Sequence, residues 1–311
     1  MSTNLEEDDD MMMCCAACGI AGVDDIKLKM CTGCKSVRYC SVKCQKEHRP
    51  KHKRACKKRA AELRDEILFK QPESSHLEDC PICLLPLSIN PQKFVMKSCC
   101  SKLVCIGCDY ANDKREKEEM LKSTCPFCRQ PRSLTKAETH RYRKKRVEAN
   151  DPVALREEGK HRCQYDRDFK SALELLSKAA EMGDVEANYE LSVLYWKGEG
   201  VEKDKKKEVY HLEEAANGGH PSARYNLGIA EGVNGRDDRA IKHFIIAANL
   251  GHDGSLDALK ECFKRGLISK EDFADSLRAH QAAVDATKSP QREAAEVFLQ
   301  NLMAARAARQ S

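Results

Sequence analysis

No stretch of the 311-residue chain is apolar and long enough to span a membrane. No secretory leader is expected either: Glu6-Glu7-Asp8-Asp9-Asp10 runs into Met11-Met12-Met13, with neither a basic start nor an apolar core segment. These absences predict an intracellular, reducing setting, cytoplasmic or nuclear. Aromatic residues make up only 5% of the chain. The two basic runs therefore lack the spaced aromatics and glycines of a nucleic-acid platform. The first, Arg49 to Lys70, sets nine Lys or Arg against three acids, and the second is Arg141-Tyr142-Arg143-Lys144-Lys145-Arg146. Both read as solvated helix surface and linker, in preference to a nuclear-import signal or a nucleic-acid contact, and the net charge of +5 adds little.

Cysteine is abundant. Of eighteen cysteines, sixteen lie between Cys14 and Cys128, and only Cys163 and Cys262 follow. In a reducing setting, clustered cysteines at close spacing read as metal ligands and not as disulfides. Residues 1–13 are acidic and then methionine-rich, with nothing to bury, and are expected to be disordered. A first cysteine module follows over 14–56, a charged helical connector over 57–79, a second module over 80–129, and a basic linker over 130–150.

From residue 151 to 311 the pattern is alanine- and leucine-rich and helical, and it repeats. Ala179-Ala180 with Gly183 recurs as Ala215-Ala216 with Gly219 and as Ala247-Ala248 with Gly251, at intervals of 36 and then 32 residues. Leu155, Leu191, Leu227 and Leu259 hold one register, and Leu176, Leu212 and Phe244 another. Small alanines let helices approach, leucines fill between them, and each glycine supplies a left-handed turn. The shorter interval reflects a trimmed loop, because Gly198 to Asp204 has no full counterpart after Gly232. With the Tyr-x-x-Gly-x-Gly-Val loop at Tyr195 to Val201, the pattern resembles the Sel-like repeats, relatives of tetratricopeptide repeats. That resemblance implies a solenoid with a protein-binding concave face. Ser269 and Asp272 fit a helix cap, the alanine-rich tail from Gln281 is expected to cap the solenoid, and Cys163 and Cys262 fall in the helical core.

In the first module the ligand-like residues are Cys15-x2-Cys18, Cys31-x2-Cys34, Cys40-x3-Cys44 and His52-x3-Cys56. A Cys-x2-Cys pair turns two thiolates onto one tetrahedral ion, and His52 and Cys56 share a helix face. Cys14 could stand in for Cys15, and His48 for His52, although only His52 has the helical spacing to Cys56. The series resembles a MYND-type zinc finger, whose interleaved pairing implies Cys15, Cys18, Cys40 and Cys44 on one zinc. The same pairing puts Cys31, Cys34, His52 and Cys56 on the other. Such fingers bind proline-containing peptides, but Arg49-Pro50 replaces the family's usual tryptophan. No methyltransferase segment of the SET type accompanies the finger.

The second module runs Cys80-x2-Cys83, Cys99-Cys100, Cys105-x2-Cys108 and Cys125-x2-Cys128, and it resembles an all-cysteine RING finger. Family pairing implies Cys80, Cys83, Cys105 and Cys108 on one zinc, and Cys99, Cys100, Cys125 and Cys128 on the other. Adjacent ligands are tight, so a water or His76 is the alternative to Cys99. The resemblance implies contact with a ubiquitin-conjugating enzyme through Ile82, Pro126 and Arg129, with Tyr110 the nearest candidate on the central helix. The expected fold is thus two small cross-braced α+β modules holding four zinc ions, then an all-α solenoid of helix-hairpin repeats. The expected function is a RING-type ubiquitin ligase that selects protein substrates through its other surfaces, or else a non-enzymatic adaptor with the same protein partners. Neither reading needs nucleic acid or a membrane.

Overall fold

The computed structural model describes residues 14–22 and 27–308. The expectation for residues 1–13 lies outside that range. The chain divides into two compact units, residues 1–70 and 71–311.

The first unit is built on a two-residue antiparallel ladder, β1 (Lys29–Met30) with β2 (Arg38–Tyr39), and one long helix, α1 (Val42–Leu68). Ser41 caps α1 by accepting from the backbone N–H of Cys44. The helix that starts at the cysteine ligands runs without a break through what the sequence suggests is a separate connector. Beyond Arg49-Pro50 no glycine or proline interrupts it before Leu68. The apolar centre is small: Tyr39, Cys15, Cys31 and Cys34 are buried together with Leu28 and Val37 at their edge.

The second unit opens on an antiparallel hairpin, β3 (Phe94–Lys97) and β4 (Lys102–Cys105), in the register Phe94 to Cys105 through Lys97 to Lys102. Helix α2 (Ile106–Glu118) follows at once, its first turn capped by the Cys105 sulfur, which accepts from the Cys108 N–H. The stretch that reads as a basic linker then forms a helix, α3 (Lys136–Glu148). Its start is fixed by a reciprocal capping box between Thr135 and Glu138. Two of its cations are tied down, Arg143 to Glu158 at 2.7 Å and Arg146 to Asp151.

Helices α4 (Pro152–His161) and α5 (Phe169–Glu181) are joined through a π turn at Arg162–Asp166. Then α6 (Val185–Lys197), α7 (Lys205–Asn217), α8 (Pro221–Val233), α9 (Asp237–Asn249), α10 (Asp253–Lys264) and α11 (Lys270–Ala286) stack, each against its neighbours. The joints repeat atom for atom. Gly183, Gly219 and Gly251 have φ of +89°, +83° and +87°. In each case the next residue donates its N–H back to the first alanine of the pair, Ala179, Ala215 or Ala247, at 3.0, 3.0 and 3.1 Å. This is the helix-ending turn that only glycine enters without strain. The residue after each glycine caps the next helix: Asp184, His220 and His252 accept from the N–H three positions on. The interval between joints shortens because α6 and α7 are linked by 198–204, while α8 and α9 are linked by only 234–236.

Leu155, Leu176 and Leu191 fill one buried cluster with Ala179 and Ala187; Phe244 and Leu259 fill another with Ala240 and Ala248. Each such side chain contributes about 1.5–3 kcal/mol by leaving water. Cys163 and Cys262 lie at the edges of these clusters. The tail departs from the expected solenoid cap. Helix α11 packs on α9 and α10, but α12 (Pro290–Ala307) turns back and packs on α2 of the cysteine module.

Candidate metal centres and partner surface

Four Cys-x2-Cys pairs close in the same way. In each, the N–H four residues past the first cysteine donates to that cysteine's carbonyl: Gly19 to Cys15, Lys35 to Cys31, Leu84 to Cys80, and Arg129 to Cys125, at 2.8–3.0 Å. The donor residue has positive φ every time, +72°, +54°, +55° and +61°. This tight knuckle turns both sulfurs to one side. The left-handed backbone of Arg129 is therefore a property of the knuckle and not of the arginine.

The sulfurs converge in two interleaved pairs of sites. Cys15, Cys18, Cys40 and Cys44 form one group, with Cys18 and Cys44 each 3.6 Å from Cys40. Cys31, Cys34, His52 and Cys56 form the next, with Cys34 Sγ 3.2 Å from His52 Nε2 and Cys31 Sγ 3.7 Å from Cys56 Sγ. Helix α1 supplies Cys44 to one and His52 and Cys56 to the other. His48 lies outside both groups: its Nδ1 is 3.1 Å from the Tyr39 hydroxyl, and its ring stacks on His52. Cys14 lies outside as well, its backbone bridged to Ala21.

In the second unit Cys80, Cys83, Cys105 and Cys108 form a third group, Cys83 and Cys105 being 3.8 Å apart. Cys99, Cys100, Cys125 and Cys128 form the fourth, with 3.4 Å between Cys99 and Cys128 and 3.9 Å between Cys100 and Cys125. Cys99 joins because Lys97 to Ser101 is a tight turn, with Ser101 at φ +56°, that swings both neighbours to one side. His76 does not complete this group; it is held by Glu186.

Thiol chemistry at these groups suits a soft, tetrahedral cation. Hydrogen bonds from the Cys105 side chain, then backbone N–H groups of Cys105, Cys83 and Ile82, win over burial at Cys80 and hold its thiol down to about 4. The neighbouring Cys105 is pushed up by the Cys80 sulfur and by burial. Burial opposes ionisation of Cys15 and Cys31, yet backbone N–H groups bring each down to about 6. In the fourth group Cys125 is lowered by backbone N–H groups against burial, while burial pushes Cys99 and Cys100 up. With four protein ligands apiece, none of the groups keeps a position for water or substrate.

A fifth convergence, His76, Glu186 and His220, has ligand-type atoms in reach but the wrong geometry for an ion. Both Nε2 atoms lie 3.1 Å from Glu186 Oε2, and the two rings stack with centroids 4.2 Å apart and planes 15° apart. Lone pairs lie in the ring plane, so near-parallel stacked rings do not aim them at one point. His220 also spends its Nδ1 on the Ala223 N–H, which leaves the proton on Nε2 as a donor to Glu186. Glu186 accepts from His220 and His76 strongly enough to lie well below the usual carboxylate range despite burial. The cluster pins the segment before Cys80 to the helices. No local pattern announces it, because its members are 110 and 34 residues apart.

Family models match residues 15–56 as a MYND finger, and 155–184, 185–220 and 221–252 as Sel1 repeats. The chain carries a MYND finger and three Sel1 repeats. Among solved structures it is similar to a Sel1 repeat protein from Oxalobacter formigenes, at 20% identity over 58% of this chain and 74% of that one, with a TM-score of 0.42. It is also similar to c5321, a protective antigen of uropathogenic Escherichia coli with an SLR fold, at 22% identity over 48% of this chain and 34% of that one, TM-score 0.42. Comparison with curated proteins gives no significant match. No helix among the described residues is long and apolar enough to cross a membrane.

The three residues expected at a conjugating enzyme fare differently. Ile82 is 41% exposed, and Phe127, beside Pro126, is 43% exposed. Pro126 itself is buried. Arg129 donates from Nη1 to Asn112 Oδ1 at 3.0 Å, so its exposed side chain leans on α2. Tyr110 is covered in part by Phe298 of α12, ring centroids 4.8 Å apart. On the Sel1 repeats, Trp196, Ile229 and Val233 are exposed around a groove whose floor includes Ser192 and Leu212.

Proposed function

We propose that the chain is a multi-surface protein-interaction scaffold whose second cysteine module works as a RING-type ubiquitin ligase element, with zinc in all four cysteine-rich centres. One observation carries the ligase reading. The second module interleaves two closed four-cysteine groups and leaves Ile82 on the first knuckle and Phe127 on the last facing solvent, with Arg129 directly after the final cysteine. Zinc in such closed sites fixes the backbone and offers no Lewis acid, so chemistry would belong to a bound conjugating enzyme. Ile82 and Phe127 would grip that enzyme, with the buried Pro126 holding the last knuckle in shape. Arg129 would restrain the thioester-linked ubiquitin with its planar fork, a gain from positioning and not from a protein nucleophile. The MYND finger and the Sel1 repeats would choose the protein to be modified.

The packing of Phe298 on Tyr110 favours a second reading, a non-enzymatic adaptor, because it occupies part of the central-helix face. Ubiquitylation in vitro with activating enzyme and a panel of conjugating enzymes separates the two. The ligase reading expects chain formation that falls at least tenfold with Ile82→Ala or Arg129→Ala, about 1.4 kcal/mol or more of lost interaction. A silent wild type across the panel, or full activity in Arg129→Ala, decides for the adaptor.

A further inference from the structure

Helix α12 sits on the second cysteine module through a group of contacts centred on Arg292. The Arg292 side chain is 95% removed from solvent, with 5% exposed. Its Nη1 donates to the carbonyls of Pro86 at 2.6 Å and Thr287 at 2.7 Å, and its Nη2 to the carbonyl of Leu85 at 3.0 Å and to Cys83 Sγ at 3.3 Å. Around it, Gln291 donates to the Gly107 carbonyl at 3.3 Å, Glu296 pairs with Lys93 at 2.9 Å, and Phe298 meets Tyr110. A Cβ on Gly107 would stand 2.9 Å from the Arg292 backbone, so the fit to α2 is close.

Among the contacts found for the Arg292 guanidinium, all acceptors are carbonyls or sulfur, and none is a carboxylate. A buried cation without an opposite charge is expensive, and leaving one behind costs several kcal/mol. The charge that answers it is on the Cys83 sulfur. Four thiolates around a divalent cation leave an excess of two negative charges, which a guanidinium on one of the sulfurs reduces.

We propose that Arg292 is the charge partner of the Cys80, Cys83, Cys105 and Cys108 centre, so that docking of α12 and loading of that centre with zinc stabilise each other. A cation in the centre would fix the knuckle that presents Cys83 Sγ and the Leu85 and Pro86 carbonyls to Arg292. Without it those acceptors are no longer held in place, and the guanidinium is stranded. By linkage the coupling has one size in both directions. The inference holds whether or not the module recruits a conjugating enzyme.

The test uses the full-length zinc-loaded protein and its Arg292→Gln, Arg292→Lys and Phe298→Ala variants. A strong chelator is added, zinc per chain is followed by native mass spectrometry, and the freed cysteines are trapped by alkylation and mapped to peptides. Arg292→Gln is expected to speed alkylation of the Cys80–Cys108 peptide about tenfold. Arg292→Lys, which keeps the charge, should recover much of that loss, while the Cys31–Cys34 peptide stays unchanged in all variants. Equal rates for the Gln and Lys variants, both matching Phe298→Ala, would mean that α12 acts by packing alone and would overturn the proposal. So would a Gln variant no faster than wild type. Should Arg292→Gln fail to bind four ions at all, hydrogen exchange on the wild type decides. Residues 290–298 must lose protection together with opening of the Cys80–Cys108 peptide, and protection that persists in α12 after that peptide opens refutes the coupling.

Discussion

Asp184, His220 and His252 occupy one slot in successive repeats, and the choice of residue there sets how each joint responds to protons. Burial holds His220 below its ordinary value of 6.5, with the Glu186 hydrogen bond working the other way. The groups facing it are Glu186, His76, Lys160 and Tyr189. A base with a lowered value in the fold binds its proton more readily unfolded. Its contribution is therefore present above about 6.5 and is lost as pH falls below that. Glu186 has the same sign but acts lower: its contribution is complete above about 4.5 and declines steadily as pH falls below that. Asparagine can cap α8 as His220 does but carries no proton in this range. His220→Asn should therefore flatten the fall in urea midpoint between pH 7 and 5, by at most about 1.4 kcal/mol per pH unit. His211 and His252, also lowered chiefly by burial, leave a residual slope. An unchanged slope in the variant would remove His220 from the account. At this scale the four cysteine-rich groups are legible in the sequence, since a Cys-x2-Cys knuckle or a helical i, i+4 pair such as His52 and Cys56 is a local pattern. The choice of Cys15 over Cys14 needs the fold, because adjacent residues differ chiefly in where the chain turns them.

Glycines that look identical in the repeat pattern do different work once helices are packed. Gly183 and Gly219 share the left-handed turn, yet a Cβ on Gly183 would meet nothing within 4 Å, while on Gly219 it would stand 2.8 Å from the Ser74 carbonyl. Gly183→Ala should cost only the left-handed strain, about 1–2 kcal/mol. Gly219→Ala should cost more, because it also presses on the strand of backbone that donates from His76 N–H to the Gly219 carbonyl. Urea midpoints of the two variants test this, and equal losses would mean that the segment before Cys80 rests only loosely on the repeats. The helices of the solenoid could be read from the sequence because alanine pairs, register leucines and turn glycines recur. The sequence of helix α3 reads as a basic linker, although Thr135 and Glu138 are the spaced pair that opens a helix. The return of α12 to α2 had no such sign: its apolar residues are compatible with either partner, and only the three-dimensional path of α11 decides which it meets.

Across the whole molecule, stability comes from two sources that respond differently to metal. The cysteine modules have small apolar centres, so a cation in each four-ligand group would supply folding energy of roughly 10–16 kcal/mol per site. The Sel1 repeats bury leucines and alanines and need no ion. Native mass spectrometry should count four zinc ions per chain. Chelation should abolish hydrogen-exchange protection in residues 80–128 while α6 to α10 keep theirs. A count of two, or repeats that melt with the metal, would contradict this division.

The bond from Arg292 to Cys83 joins positions 209 residues apart. Chains are synthesised at about 5–20 residues per second, so the cysteine module emerges roughly 10–40 s before the helix that covers it. During that interval the Tyr110 face of α2 and the Cys83 sulfur are open to whatever waits at the ribosome. Any metal delivery to this module, and its first encounters with other proteins, would then be set by the timing of translation as well as by affinity.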